Sequence, residues 1–409
     1  MDEHIPAVVN GPTSDRATER YLPTGDEAGT APEDRAFRPD IEGLRAVAIL
    51  LVVLLHVGVA HVQGGTVGVD VFFVISGFVI TGVLLRDYAT TGGIGFVQFY
   101  ARRARRILPM ALGVIVVTVI VIDLLDRHTY AVSAASDGRW SALFLGDFRF
   151  MRVDPNILVS RQSPFGQYWS LAVEEQFYLL YPAFFVGLAA CKRNWSLRHR
   201  LALGLIGVIV ASFTASVLTS RVGLLGAYYS PLTRAWELAV GCLLAVMTPH
   251  LQRIPSTIAA IASWVGLAGI LASADLISFR VAYPGYAAAL PVVGAGLVIA
   301  GGTVAPHWGA ETLLGSFAFR WIGRFSYSWY LWHLAIIVMA AEYARTTYEA
   351  SSVGLRLVLV LVALVVAAAS YFVVESPIRH SKRIAQSPLA TLLAAGLLVG
   401  VCVLVTFVV

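Results

Sequence analysis

The stretch Ile41–Val62, IEGLRAVAILLVVLLHVGVAHV, is a long apolar run with one cation near its start and one imidazole in its interior. Arg45 and His56 are eleven positions apart, about three turns at ~3.6 residues per turn. On a helix both side chains therefore point the same way, ~16 Å apart along the axis. A run of this length is enough to span a bilayer. That reading puts Arg45 at one membrane edge and His56 near mid-depth. An ionisable group at such depth is expensive and marks a functional site by default. A lone histidine on an apolar face is, even so, more often satisfied by a polar neighbour than used in chemistry.

The rest of the chain has the same character. Of 409 residues 57% are hydrophobic and only 13% charged, and the mean hydropathy is +0.74. Soluble chains carry about a quarter charged residues, so the composition implies an all-α, polytopic transmembrane helix bundle in the lipid bilayer of the cell membrane. A net charge of +5 and a pI near 9.1 fit arginine-rich cytoplasmic loops and require no nucleic-acid partner. Cys191, Cys242 and Cys402 lie in or beside apolar segments and form neither a disulfide framework nor a metal-ligand spacing. Residues 1–37 mix Pro, Gly, Thr, Asp and Glu without aliphatic periodicity and read as a disordered cytoplasmic tail. They show no signal-peptide pattern.

Apolar segments long enough to cross a bilayer fall at roughly 44–62, 66–86, 107–125, 168–190, 200–219, 231–248, 257–274, 286–304, 327–345, 354–374 and 388–409. The stretch 131–150 is interrupted by Asp137, Arg139, Asp147 and Arg149 and reads as interfacial or re-entrant. With eleven spans and the N-terminus inside, Arg86, Arg102–Arg106, Lys192–Arg200, Arg320 with Arg324, and Arg379–Arg383 all become cytoplasmic, as the positive-inside rule asks. The long outer segment 126–167 also holds arginines, but long loops count less. The final helix, 386–409, then ends outside.

Several polar residues interrupt this apolar frame. Asp70, under the outer surface on the second span, needs a partner, and His56 on the preceding helix is a candidate. In FYARRARRIL, Arg102, Arg103 and Arg106 share a broad helix face. They serve either as topology anchors or as a clamp for a phosphorylated ligand, with Arg45 opening onto the same side. The stretch WSLAVEEQFYLLYP carries the adjacent acids Glu174 and Glu175, of which at most one faces any given cavity, the plain alternative being an ion pair with an arginine elsewhere. Arg234 and Glu237 make an i, i+3 pair best read as structural. Ser326, Tyr327, Tyr330 and His333 are expected at a helix start on the cytoplasmic side, and Glu375 at an inner helix end where it could orient Arg45 or the arginine run.

Taken in order, RPDIEGLRAVAILLVVLLH, GVDVFFVISGFVIT, FYARRARRILP, YWSLAVEEQFYLLYP, TRAWELAVG, FSYSWYLWH and ESPIRH resemble the acyltransferase 3 family. The likeness covers Arg38 to His380, and seven segments in register make it specific. The resemblance implies a bundle of ten or eleven transmembrane helices that moves acyl groups, most often acetyl, from acyl-CoA to envelope glycans, glycolipids or similar acceptors. It implies a transmembrane acyltransferase domain over 38–385 and assigns His56 as the catalytic residue. It also implies Arg45, Arg102, Arg103 and Arg106 in acyl-CoA use and a Glu-x-Pro turn at Glu375 and Pro377, with no metal. Many members add an extracytoplasmic hydrolase-like domain that completes the transfer, so the chain is expected either to work alone or to act with such a domain or partner. The chain departs from the pattern at Gln167 and Tyr168, which precede Trp169 where related sequences often have a histidine, and at Leu334–Ala335, where many continue Trp-Pro. Both differences bear on the acceptor more than on the chemistry.

The expected reaction is O-acyl transfer with His56 as a general base or a transient acyl carrier, either role needing neutral imidazole. Two other classes compete with it. One is a transporter whose His56, Asp70 and Glu175 form a proton relay, against which stands the lack of an internal repeat. The other is a scaffold in which neither CoA nor the histidine matters.

Overall fold

A computed structural model describes residues 38–125, 129–152, 162–191, 194–222, 226–277, 282–344 and 351–408. The expected tail at 1–37 lies outside the described residues. Helices make up nearly all of what is described: α1 (Pro39–Val57), α2 (Val67–Thr91), α3 (Phe96–Leu125), α4 (Thr129–Ala142), α5 (Gly146–Phe150), α6 (Tyr168–Ala190), α7 (Leu197–Arg221), α8 (Gly226–Tyr229), α9 (Pro231–Leu251), α10 (Ser256–Leu276), α11 (Ala289–Val304), α12 (Ala310–Leu314), α13 (Phe317–Tyr343), α14 (Val353–Ser370), α15 (Ser376–His380), α16 (Lys382–Ala385) and α17 (Pro388–Val408). Each of the eleven apolar segments falls on a helix. Six helices among the described residues are long and apolar enough to cross a membrane by length and composition. Residues 131–150 form two short helices joined by a turn.

The first helix is the centre of the bundle. One side of α1 packs Leu44, Val47 and Leu51 against α2, α10 and α11. Its other side packs Ile49, Val52 and Val53 against α3, α6 and α13. A helix that is apolar all round belongs inside a bundle, and α1 is buried along most of its length. At the periphery, α14 and α17 leave Val365, Leu397 and Leu404 exposed, as suits a lipid-facing surface.

Three boundaries differ from the sequence reading. The first helix stops at Val57 instead of running to Val62. Gly58 takes a left-handed φ of 80° and closes the helix with its N–H on the Leu54 carbonyl at 3.1 Å. His56 therefore stands in the last turn of α1. Second, α13 begins at Phe317, so Tyr330 and His333 lie well inside a helix and not at its start. Third, a five-residue π turn, Tyr371–Glu375, links α14 to α15. It rotates the register so that Glu375 is buried while Phe372 and Val373 stay exposed.

Close approach holds α2 to α9. A Cβ at Gly77 would collide with the Leu238 carbonyl, and one at Gly241 with that of Val74. The two backbones touch where either side chain would stand.

Candidate active site

Helices α1 and α13 run side by side in the same direction, and two contacts mark the axis they share. At one end Arg45 donates to Ser326 Oγ from Nε (3.0 Å) and Nη2 (2.9 Å). At the other, the rings of His56 and His333 meet edge to face with centroids 5.0 Å apart. Eleven residues of rise on α1 and seven on α13 separate these contacts, and the long arginine side chain takes up the difference.

Both imidazoles are anchored by their own helices. His56 Nδ1 lies 2.8 Å from the Val52 carbonyl and His333 Nδ1 lies 3.1 Å from the Trp329 carbonyl. A carbonyl can only accept, so each Nδ1 carries a proton, and in the neutral ring the lone pair is on Nε2. His333 is fully buried and its Nε2 has no hydrogen-bond partner. His56 is half-buried.

A cleft opens beside this axis. Arg45, Arg103 and Arg106 line one part of it, and Phe72, Phe73 and Tyr330 another. Its space is about 780 Å³, open solvent at its mouth included. The Tyr330 hydroxyl lies 2.9 Å from the Gln167 carbonyl and 2.6 Å from Ser170 Oγ. Gln167 also donates from its amide to the Leu331 carbonyl at 2.9 Å, so this departure from the family pattern is a strut between α6 and α13.

The arginines named from the sequence are not equivalent. Arg102 is exposed and pairs with Asp87 on α2. Arg103 reaches Glu175 at 3.1 Å and Glu174 at 3.7 Å, with its guanidinium 3.8 Å above the Tyr178 ring. The plain reading of the two acids, an ion pair with an arginine, is what the structure has. Glu174 is the one that lines the cleft, where it also accepts from Ser76 and Tyr178, each at 2.8 Å. Among the described residues, Arg45 and Arg106 line the cleft with no carboxylate within ion-pair distance.

Two expected partnerships do not form. Asp70 turns to Arg234 at 2.9 Å and to the Tyr283 hydroxyl, not to His56. Arg234 also pairs with Glu237 at 3.0 Å and donates to the Tyr228 carbonyl, while the Trp169, Tyr228 and Tyr283 rings surround it at 5.0–5.2 Å. This buried cluster offered a guanidinium that no short sequence spacing connects to Asp70. Glu375 accepts from Ser328 Oγ at 2.6 Å and makes no ion pair with Arg45 or the arginine run. His56, Asp70 and Glu175 thus each engage a different cluster and form no continuous relay.

Sequence reasoning passed over Ser170, Glu174 as the cleft acid, and Ser326 as the anchor of Arg45. Serines in apolar helices have no periodic signal that separates packing from function. Glu174 and Glu175 differ only by the ~100° that one residue adds on a helix, which no local pattern resolves.

A family model described as an acyltransferase domain matches residues 38–375. The chain is 30% identical over 357 residues to the peptidoglycan O-acetyltransferase OatA of Listeria monocytogenes serovar 1/2a (strain EGD-e), covering 85% of this chain and 56% of that protein. It is 32% identical over 373 residues to YrhL of Bacillus subtilis (strain 168), covering 83% and 55%. To the O-acetyltransferase OatA of Staphylococcus aureus (strain NCTC 8325) it is 29% identical over 356 residues, covering 84% and 57%. The chain thus spans little more than half the length of these relatives. No solved structure matches it. The matched span holds α1 with Arg45 and His56, the arginine run, α13 and Glu375, and on this evidence the chain belongs to the acyltransferase 3 family.

Proposed function

We propose that this chain is an integral membrane O-acyltransferase. It moves an acyl group, acetyl by analogy with the printed names of its relatives, from cytoplasmic acyl-CoA to a hydroxyl of an envelope glycan or glycolipid. The observation that carries this reading is the axis from Arg45 to His56. Arg45 and Arg106, which have no acidic partners, line a cleft, and eleven residues further along α1 the His56 ring, held through Nδ1 by the Val52 carbonyl, meets that of His333. Guanidinium groups free of carboxylates suit phosphate, which they bind through paired N–H donors. The CoA phosphates dock on Arg106 and Arg45 at the cytoplasmic edge, and the pantetheine arm carries the thioester along the cleft toward His56. Its Nδ1–H on the Val52 carbonyl fixes the tautomer that leaves Nε2 able to take a proton or an acyl group.

The orientation that serves this chemistry is the one the arginine distribution favours, with the N-terminus inside and eleven spans. The peptidoglycan named for the Listeria relative makes a cell-wall glycan the first acceptor to test. An extracytoplasmic hydrolase-like domain or partner would complete delivery to it. The test is transfer from radiolabelled acetyl-CoA into membrane and wall material by cells or membranes with and without the protein. Label incorporated only with the protein supports the reading, and equal incorporation refutes it.

A further inference from the structure

The short helix α15 is tied at both ends to the helices that position the cleft's arginines. At its start, Glu375 accepts from Ser328 Oγ at 2.6 Å on α13, the helix whose Ser326 anchors Arg45. At its end, the Ser381 carbonyl accepts from Arg105 Nη1 at 3.4 Å on α3, next in sequence to Arg106. Pro377 stiffens the first turn between these ties. Arg379 stands on the helix they hold. It is exposed, and among the described residues it makes no hydrogen bond and pairs with no carboxylate. Its charge nevertheless acts on both Arg45 and Arg106. Glu174, Glu375 and Glu42 also act on Arg45, but the charges that act on Arg106 are those of Arg45, Arg103 and Arg379. Guanidinium groups brought within reach of one another repel, and they focus a positive field on the opening they surround. An anion relieves that repulsion.

These cations differ in depth. Arg45 and Arg106 line the cleft and are half-buried, whereas Arg379 lies outside the lining and is exposed. CoA carries its phosphates in a matching order. The pantetheine arm ends on a diphosphate, and the ribose 3′-phosphate lies beyond it, at the end farther from sulfur. With the thioester in the cleft, the reading on which this inference rests, the diphosphate reaches Arg45 and Arg106 and the 3′-phosphate is left outside the lining. We infer that Arg379 is a specificity-determining residue for the donor, which binds the ribose 3′-phosphate of CoA. It thereby selects free CoA thioesters over thioesters that lack this group. A phosphopantetheine arm on a carrier protein is one of those, since it ends in a phosphodiester and has no ribose. The contact is a guanidinium on a phosphomonoester, a pairing that needs no further protein group. In sequence Arg379 passes for one more positive-inside anchor of the Arg379–Arg383 run, and only the two ties of α15 bring it to the arginines of the cleft.

A donor that lacks only the 3′-phosphate separates this role from that of a membrane anchor. Membranes containing wild type, Arg379→Gln or Arg379→Lys are assayed with acetyl-CoA and with acetyl-dephospho-CoA, and KM and kcat for acetyl transfer are measured. The wild type is expected to show a KM about fivefold lower for acetyl-CoA at similar kcat, the scale of one exposed charge pair. The change falls on KM because the 3′-phosphate is remote from the reacting carbonyl. In Arg379→Gln the ratio of the two KM values should fall to about one, and Arg379→Lys should keep most of it, since an ammonium also pairs with a phosphomonoester as a point charge. A purely structural or topological role would move both donors together and leave the ratio as it was, which overturns the inference. So does a wild type that does not distinguish the donors. Both results leave the acyltransferase reading standing. A wild type that transfers acetyl from neither donor overturns the acyl-CoA reading, and the role of Arg379 with it.

Discussion

Arg103 reaches Glu175 at 3.1 Å, and this ion pair changes which arginine is available to a phosphate. By sequence Arg102, Arg103 and Arg106 are one basic motif. In the structure the first pairs with Asp87, the second is held between two glutamates, and only the third faces the cleft without an acid. Under the proposed function, phosphate binding on this helix would rest chiefly on Arg106, together with Arg45 of α1.

Replacing Arg106 by alanine should weaken acetyl-CoA binding by about tenfold or more, since a charge-assisted hydrogen bond is worth ~1.5–3 kcal/mol. Arg102→Ala should change it by less than about twofold, because an exposed pair contributes little. Isothermal titration of each variant with CoA at low and high salt measures both effects. Equal losses at the two positions would contradict this ranking.

His56→Ala should abolish transfer, by ~10²–10⁴-fold, while CoA affinity is retained. Arg45 lies ~16 Å away along α1 and Arg106 stands on α3, so removing the imidazole leaves their cleft intact. Transfer of radiolabelled acetyl groups and CoA binding are measured on the same membranes. Wild-type turnover by the variant would exclude His56 from the chemistry.

Removing the guanidinium that holds Asp70 and Glu237 leaves two buried carboxylates without their cation. Arg234→Ala should therefore destabilise the protein by ~3–5 kcal/mol. Arg234→Lys should restore only part of this, because one ammonium cannot span two carboxylates, a carbonyl and three rings as the planar fork does. Unfolding in mixed micelles gives the differences. A wild-type midpoint for Arg234→Ala would show that this cluster is not structural.

The short helix α5 carries a pH-sensitive group. Burial pushes the Asp147 carboxyl up to about 6 from an ordinary value of 3.8, against the hydrogen bond it accepts from the Gln176 amide. Between those values the folded protein holds a proton that the unfolded chain releases. Stability should therefore fall as pH rises from about 4 to about 6, and level off above. Asp147→Asn should remove this slope. Thermal midpoints of both proteins across that range test the sign, and a midpoint that climbs with pH in the wild type alone would reverse it.

Impermeant labelling fixes the sidedness. Cysteines placed in the Lys192–Arg200 loop or just after Ala385 should stay unreactive in intact cells, and cysteines in 126–167 should react. Reaction at the Lys192–Arg200 loop would overturn the eleven-span arrangement.

The helical frame was legible because a span of about twenty apolar residues is a strong signal, and Tyr168–Ala190 starts and ends where the apolar run does. Arg45 and His56 were legible for the same reason, being conspicuous in an apolar helix. Their partners were not. Ser326 and His333 come from a helix more than 270 positions away, and nothing local in α1 announces them. The end of α1 was misjudged because of one glycine. Gly58 is indistinguishable in composition from the small residues that helices tolerate, and only its left-handed backbone ends α1 at Val57. The pairing of Asp70 failed because proximity in sequence suggested His56, while a fully buried arginine on α9 offered a stronger counter-charge.

The close approach of α2 to α9 at Gly77 and Gly241 also limits how a cleft proposed to take an acyl chain can widen. Ile75, Ser76 and Val79 present one wall of the cleft from α2, and that helix is already seated on α9 with no side chain between them. A wall in backbone contact with its neighbour cannot retreat. Any room for a longer acyl chain has to come from rotamers of Phe72, Phe73 and Tyr330, or from outward movement of α3 and α6. Chain-length selectivity would then be altered by trimming those aromatic side chains, while enlarging either glycine would push the fixed wall inward and narrow the substrate range.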